Sequence, residues 1–329
     1  MKLLVSSILL ILLYSFVFCF EFNSEFDNFK IIENSESCSE VNYTRINNYV
    51  NSLVYSYDYC EGTEWALTDF SNNKISSQTA NDPQQTASTI KLWILISVFQ
   101  DIENGLYTLD TIIPCSTGNI TIFECMSLMI GISDNCATYS LTAQTTLSHV
   151  NQVFSQLGMP DSHFSEWCFP GCLGYENPCP NTDGTGDNNV LASNDVVHGL
   201  SQLISYQILQ PNHTAMAIKL LLTAHGWEPM IGKYIPSPVA HKQGWLPADE
   251  GFQPFTENDE AIVFTECGTF GLSIMITRNW TNPQEDAIAL QLGANIAKYI
   301  YCSFVPFGYA NDGTYCSTLI STPIIGDQC

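Results

Sequence analysis

A lysine opens the most apolar internal stretch of this chain. Residues 91–99 read Lys-Leu-Trp-Ile-Leu-Ile-Ser-Val-Phe, and a run that is apolar around most of the helical wheel is typical of a helix buried on most of its faces. Keeping a lysine charged inside such a helix is costly, so its pKa should fall toward the range of a general base. The run therefore predicts a core helix that starts with a lysine of altered basicity.

A serine stands three residues before that lysine. Ser88 and Lys91 lie on the same face of a helix, and a hydroxyl at a helix start meets unpaired backbone N–H groups and the positive end of the dipole. Together they form the skeleton of an activated serine nucleophile. A second Ser-x-x-Lys, Ser71 to Lys74, lies among turn residues between two strand-like runs. There we predict a hairpin turn with a solvated lysine.

The amino-terminal end has the form of a targeting segment. Lys2 precedes an apolar run over residues 3–20, which predicts a secretory signal peptide over residues 1–19. An uncleaved membrane anchor is the alternative. Residues 20–37 are predicted to be a flexible stretch.

The cysteine count fits a secreted protein. The chain holds 13 cysteines, and removal of Cys19 with the signal leaves an even number, which argues for disulfides. A zinc site is the competing interpretation for the clusters in residues 168–179 and 302–329. The spacings are not Cys-x-x-Cys pairs and no histidine accompanies them, so disulfides are favoured.

The net charge and the glycosylation motifs indicate which partners and which cellular compartment to expect. The net charge of −23 excludes nonspecific nucleic-acid binding as a default. Four N-glycosylation sequons predict a glycoprotein of the secretory route; they start at Asn42, Asn119, Asn212 and Asn279. We therefore expect a protein that is secreted or in the endolysosomal lumen, with no nucleic-acid partner and no membrane association after signal cleavage.

Hydrophobic periodicity predicts an α+β fold. Helices are predicted over residues 39–57, 91–104, 121–129, 146–157, 194–208, 214–223 and 284–302. Strands are predicted over 64–70, 74–77, 239–246, 261–265 and 270–277, whereas 106–119 is predicted to be irregular and 162–189 to be a long loop. Strands at both ends of the chain with helices between them predict one antiparallel sheet with flanking helices and a helical subdomain.

Two further motifs complete a pattern around Ser88. Ser133-Asp134-Asn135 lies in a helix-loop-helix context, and Lys242-Gln243-Gly244 lies at the start of a predicted strand. Ser-x-x-Lys, then Ser-Asp-Asn, then Lys-x-Gly on a strand resembles the signature of the active-site serine β-lactamases and penicillin-binding proteins. The resemblance to the class A β-lactamase-like fold covers nearly the whole mature chain. It implies a catalytic domain over residues 38–302, followed by a cysteine-containing tail over 303–329.

The resemblance also implies roles for the motif residues. Ser88 would attack a carbonyl and become acylated, Lys91 would take its proton, and Ser133 would pass a proton to the leaving nitrogen. Asn135 and Lys242 would bind the amide and the carboxylate of the substrate. At the strand, Gly244 and Trp245 complete the substrate-binding set, and the N–H groups of Ser88 and Trp245 would form the oxyanion hole. Neither a cofactor nor a metal is implied.

Two departures from the family pattern bear on turnover. Gln243 stands where the family has a hydroxyl residue, and the long loop lacks the Glu-x-x-Leu-Asn motif whose glutamate activates water in class A enzymes. Glu166 and Glu176 are the only glutamates in that loop. Glu166 is the candidate base, and a solvated loop acid is the alternative interpretation for either residue. We therefore expect a serine hydrolase that acts on a small acyl or amide substrate, β-lactams by resemblance. The alternatives are a peptidase, transpeptidase or esterase on the same scaffold, and a non-catalytic secreted binding protein.

Overall fold

The computed structural model describes residues 38, 40–71, 73–168, 171–172, 181–224, 230–247, 255–278, 284–324 and 329. The predicted signal peptide and flexible stretch, together with Glu176 and Asn279, lie outside these residues. The described sequon asparagines Asn42, Asn119 and Asn212 are all exposed, as glycosylation requires. No helix within the described ranges has the length and apolar character needed to cross a bilayer.

Helices and strands follow the predicted order. The helices are α1 (Tyr43–Ser56), α2 (Ile90–Glu103), α3 (Ile122–Gly131), α4 (Asn135–Thr145), α5 (Leu147–Leu157), α6 (Ser193–Ile204), α7 (Pro211–Leu222), α8 (Gln284–Phe304) and α9 (Cys316–Ser321). The strands are β1 (Thr63–Thr68), β2 (Lys74–Ser76), β3 (Gln84–Gln85), β4 (Ile112–Cys115), β5 (Gly118–Thr121), β6 (Val190–Leu191), β7 (Val239–Leu246), β8 (Phe255–Thr265) and β9 (Gly268–Arg278).

One five-stranded antiparallel sheet joins the two ends of the chain, in the order β2-β1-β9-β8-β7. Because side chains alternate across a strand, the sheet takes part in two cores. Ile262 and Met275 pack with the helical subdomain around α2, whereas Ala261 and Ile274 pack with α1 and α8. The predicted α+β architecture is confirmed, and β7 is left as an edge strand beside the start of α2.

Local signals set several helix boundaries as predicted. Thr121 and Glu124 form a reciprocal capping box at the start of α3, which pairs otherwise unsatisfied N–H groups. Gly158 ends α5 in the left-handed conformation, which glycine adopts without steric cost. The buried helix α2 begins one residue before the predicted start and ends at Glu103.

Several stretches differ from the prediction, since α9 and the short strands β3 and β6 were not among the predicted elements. Residues 106–119, predicted to be irregular, contain most of a hairpin in which β4 pairs with β5. The strand predicted over 261–265 is β8, which starts already at Phe255. Its first half is Phe-Thr-Glu-Asn-Asp-Glu. This segment is so polar that its hydrophobic pattern does not indicate a strand. Those acidic side chains are nevertheless buried.

Disulfides join distant parts of the domain. Five pairs link described cysteines: Cys38–Cys267, Cys60–Cys329, Cys115–Cys125, Cys136–Cys172 and Cys302–Cys316. The predicted tail is therefore fastened to the domain at two points. Arg45 on α1 adds a hydrogen bond from Nε to the Ile320 carbonyl oxygen at 2.6 Å.

Candidate active site

Ser88 lies in a tight turn that leads directly into α2. Residues Ala87–Thr89 form one turn of 3₁₀ helix, and Ala87 has a φ of +48°, which is rare for a residue with a side chain. Buried Asn258 on β8 holds the preceding backbone, since its Nδ2 donates to the Gln85 carbonyl oxygen at 2.7 Å. Strained backbone of this kind persists only where its surroundings fix it. Sequence reasoning did not identify Asn258, which carries no motif.

Lys91 is enclosed by the predicted motif residues. Its Nζ lies 2.9 Å from Ser88 Oγ, 2.9 Å from Ser133 Oγ, 2.7 Å from the Ser133 carbonyl oxygen and 2.8 Å from Asn135 Oδ1. The side chain has no solvent-exposed surface. The first two motifs therefore meet at one nitrogen, as the resemblance implies.

The environment of Lys91 favours the neutral amine. Burial lowers the pKa of Lys91 well below its usual value, and the positive charge of Lys242 lowers it further, whereas Asp134 opposes the shift. The neutral amine has two N–H groups and one lone pair, so it can donate to the Ser133 carbonyl oxygen and to Asn135 Oδ1. Its lone pair can then accept a hydrogen bond from the Ser88 or Ser133 hydroxyl, which makes it a competent proton acceptor for Ser88.

Ser133 reaches Lys91 through an unusual backbone conformation. Its φ is +59°, in the left-handed region that few residues other than glycine adopt. The next residue fixes this conformation, because Asp134 caps α4 by accepting from the Ala137 N–H at 2.7 Å. The turn brings both the carbonyl and the hydroxyl of Ser133 to Lys91.

Lys242 contributes charge from the edge strand β7. Its Nζ donates to the Gln243 carbonyl oxygen at 2.7 Å, and no hydrogen bond joins it to Ser133 within the part of the chain that is described. Burial lowers the pKa of Lys242 to about 8, against the opposing effect of Asp259 and Glu260. The lysine is therefore close to losing its charge at mildly alkaline pH.

The side-chain amide nitrogen of Gln243 is hydrogen-bonded within the protein. Its Nε2 lies 3.2 Å from Glu257 Oε2, and the residue is buried. Gln243 therefore does not present a free hydroxyl-like group in the manner of the family's third motif.

Gly244 lets β7 approach the nucleophile closely. A Cβ atom at this position would lie 2.7 Å from the Thr86 carbonyl oxygen and 2.8 Å from the Ser88 amide nitrogen, closer than any real side chain comes. The next residue, Trp245, is exposed at the rim. Only a glycine allows the Trp245 backbone to run beside the Ser88 backbone, as an oxyanion hole formed by these two residues would require.

The predicted base Glu166 does not reach the lysine. Glu166 is bridged to Thr182 in extended backbone, and its side chain is exposed. Within the described ranges no hydrogen bond or ion pair joins its carboxylate to the motif residues. Side chains alternate in extended backbone, and the neighbouring Trp167 is the one that points inward. The prediction of Glu166 as the base is therefore not supported by this geometry.

Trp167 occupies the side of the site next to Lys91. The ring centroid lies 5.0 Å from Lys91 Nζ, and Nε1 donates to the Asn135 carbonyl oxygen at 3.1 Å. Nothing in the sequence around Trp167 signalled this placement. Only the alternation after Glu166 could have suggested it.

The second Ser-x-x-Lys is a turn, as predicted. Strands β1 and β2 pair on either side of it, and Asp69 Oδ1 accepts from the Ser71 N–H at 2.9 Å. Lys74 is exposed and donates to the Asn194 carbonyl oxygen at 3.1 Å. Ser71 is therefore not paired with its lysine.

Comparison with known proteins identifies the family of this chain. The model of the β-lactamase enzyme family matches residues 45–300. The chain belongs to the β-lactamase enzyme family. This membership makes it a hydrolase of the β-lactamase type. A search of curated proteins finds no significant match.

Solved structures share the fold at low sequence identity. A β-lactamase from Sphaerobacter thermophilus is 20% identical, with a TM-score of 0.63 over 76% of this chain and 94% of that one. PBP-A is 18% identical, with a TM-score of 0.62 over 80% and 97%. A β-lactamase from Chitinophaga pinensis is 16% identical, with a TM-score of 0.64 over 78% and 98%. At these identities the likeness establishes the fold only.

Proposed function

We propose that this β-lactamase-family hydrolase forms a covalent ester at Ser88 with small cyclic or linear amides, β-lactams being the substrate class that the family implies. The observation that carries the proposal is the position of Lys91 Nζ within hydrogen-bond distance of both Ser88 Oγ and Ser133 Oγ. This arrangement gives the nucleophile a base and gives the leaving nitrogen a route to a proton.

The acylation step can be written from these contacts. Neutral Lys91 takes the Ser88 proton while Oγ bonds to the substrate carbonyl carbon. The N–H groups of Ser88 and Trp245 stabilise the developing oxyanion. The carbon–nitrogen bond then breaks as the Ser133 hydroxyl protonates the nitrogen, and Ser133 recovers a proton from Lys91. The products are the ester on Ser88 and an amine, which leaves from a linear amide and stays attached to the acyl group of a cyclic one.

An oxidising compartment suits this chain. We propose secretion or residence in the endolysosomal lumen, because five disulfides between described cysteines persist where the medium is oxidising. The exposed sequon asparagines are compatible with that route.

Covalent labelling tests the proposal. Purified protein is incubated with a fluorescent penicillin and with a chromogenic cephalosporin, and the adduct is located by peptide mass spectrometry. We expect the adduct on the peptide that contains Ser88, with Ser71→Ala labelled as strongly as the unmodified protein. Turnover of the cephalosporin would identify a β-lactamase, and a lasting adduct would identify a slower acyl-enzyme. Binding without any adduct would reject an enzymatic role and favour a secreted binding protein.

The acylation rate should depend on pH through both lysines. Lys91 must be neutral to accept a proton, so the rate rises as pH passes its lowered pKa. Lys242 must be charged, and its pKa is about 8, so the rate should fall as pH rises through that value. Labelling rates measured across the pH range should therefore give a bell with an alkaline limb near pH 8. Lys242→Arg keeps its charge and should lose that limb, and an unchanged limb would contradict the assignment.

A second candidate function is acyl transfer or peptidase chemistry on the same scaffold. One observation favours it. The indole of Trp167 lies beside Lys91, where hydrolysis of the ester would need a base and a water molecule, so the acyl group would more readily pass to another acceptor.

A further inference from the structure

We infer that Trp167 shields Lys91 and the Ser88 ester from water, and that this residue makes hydrolysis of the ester the slow half of the reaction. The inference rests on the proposed acylation of Ser88. It assigns a positioning role to a residue that carries no motif. It also concerns release of the acyl group, a step that the motif residues do not explain.

Hydrolysis of the ester needs a base within reach of a water molecule. The water oxygen must bond to the ester carbonyl carbon while its proton passes to a base, and Ser88 Oγ must then leave with a proton. Such a base must lie within about 2.6–3.2 Å of that water or act through one more water. A site that fills this space with apolar surface suppresses hydrolysis of a reactive intermediate.

Among the described residues, oxygen atoms and an indole ring surround the Lys91 amine. Four oxygens from Ser88, Ser133 and Asn135 lie within 2.9 Å of Nζ, and the Trp167 ring covers a further direction at 5.0 Å. Among the described residues no carboxylate is hydrogen-bonded to Lys91. The lysine can therefore serve Ser88 and Ser133, but it cannot also activate a water molecule unless Trp167 moves.

Trp167 is held in place from several directions. Its backbone N–H donates to the Asn181 carbonyl oxygen at 2.9 Å, and its Nε1 donates to the Asn135 carbonyl oxygen at 3.1 Å. The next residue, Cys168, is disulfide-bonded. The Cys136–Cys172 disulfide ties this loop to α4, one residue after Asn135. These contacts hold the indole in position beside Lys91.

The loop before Trp167 is clamped by one asparagine. Asn189 Oδ1 accepts from the Ser165 and Glu166 N–H groups at 2.9 and 3.0 Å, and its Nδ2 donates to the Glu166 carbonyl oxygen at 2.8 Å. The clamp fixes the extended backbone that turns Glu166 outward and Trp167 inward. A carboxylate at 166 therefore cannot exchange places with the indole without breaking three hydrogen bonds.

The lifetime of the adduct tests the inference. The full chain is labelled with a fluorescent penicillin, excess label is removed, and loss of the adduct is followed by intact-mass spectrometry for Trp167→Phe, Trp167→Leu and Trp167→Ala. We expect the half-life to shorten with decreasing side-chain size, by about tenfold or more in Trp167→Ala, because water then enters the vacated volume. The acylation rate should change by less than about threefold, which separates this role from general damage to the site. Glu166→Gln is the matched control and should leave the half-life unchanged.

Each other outcome decides against the inference. An adduct whose half-life is the same throughout the Trp167 series would reject the role of Trp167 and leave the proposed acylation intact. The same holds if the unmodified protein loses its adduct rapidly and Glu176→Gln prevents that loss, because a loop carboxylate would then be the base. Should the unmodified protein acquire no adduct at all, the proposed function is rejected and the inference with it. Trp167→Phe keeps a ring over Lys91, so it provides the comparison if the smaller variants do not fold.

Discussion

Replacing Lys91 with methionine should lower the rate of Ser88 acylation by about a hundred- to ten-thousand-fold, the range that a well-placed general base contributes. Methionine is similar in length and unbranched, so it fills the space of the lysine stem. It cannot accept the Ser88 proton, nor can it return one to Ser133. The loss should therefore appear in the rate of adduct formation rather than in the lifetime of any adduct that forms.

The measurement is the second-order rate constant for labelling by a fluorescent penicillin, with folding checked by thermal melting. The chain supplies its own control, Lys74→Met, which changes the other Ser-x-x-Lys. Lys74 is exposed and its amine contacts the Asn194 carbonyl oxygen, not Ser71, so this variant should be labelled at the unmodified rate. Labelling of Lys91→Met within a few-fold of the unmodified protein would show that another group takes the Ser88 proton.

The fold was predictable where hydrophobic pattern and local chemistry agree. The buried helix α2, the capping box of α3 and the glycine that ends α5 all carry their own signals. The first half of β8 does not, because residues 255–260 are largely acidic or polar. The burial of Asp259 depends on a partner elsewhere, His241, whose Nδ1 lies 2.9 Å from Asp259 Oδ1. A pattern read along one segment cannot contain that partner.

The grouping of Ser88, Lys91 and Ser133 was also predictable, because the proposed acylation fixes which residue types must lie together. A serine, its lysine and the Ser-Asp-Asn turn must meet at one point, and they do. The side of the site that would release the acyl group depends on which side chain of the loop points toward Lys91. Glu166 and Trp167 are adjacent in sequence, and the Asn189 clamp decides which of them points at Lys91. The sequence favoured Glu166 as the residue next to Lys91, because a carboxylate suits the chemistry. The backbone geometry instead places Trp167 there.

Gly244→Ala should reduce both stability and acylation, although it adds only a methyl group. The added carbon would lie 2.7 Å from the Thr86 carbonyl oxygen and 2.8 Å from the Ser88 amide nitrogen. Both are backbone atoms, so relief requires a shift of β7 or of the turn that carries Ser88. Overpacking of this kind costs about 1–3 kcal/mol of unfolding free energy. Moving the nucleophile by about 1 Å relative to its oxyanion donors costs on the order of a hundredfold in rate.

The two effects of Gly244→Ala can be separated from the general effect of losing a glycine. Gly131, at the end of α3, is the control, because a Cβ added there meets only the Thr223 carbonyl oxygen at 3.9 Å. Gly131→Ala should leave the melting temperature unchanged or raise it, since alanine favours a helix by up to about 1 kcal/mol over glycine. If Gly244→Ala melts like the unmodified protein and is labelled as fast, β7 does not approach Ser88 closely, and an oxyanion hole formed with Trp245 would be ruled out. If stability falls and the labelling rate does not, the contact is structural and the oxyanion donors lie elsewhere. Only the joint loss, with Gly131→Ala at least as stable as the unmodified protein and labelled as fast, supports an oxyanion hole formed by β7 and the turn that carries Ser88.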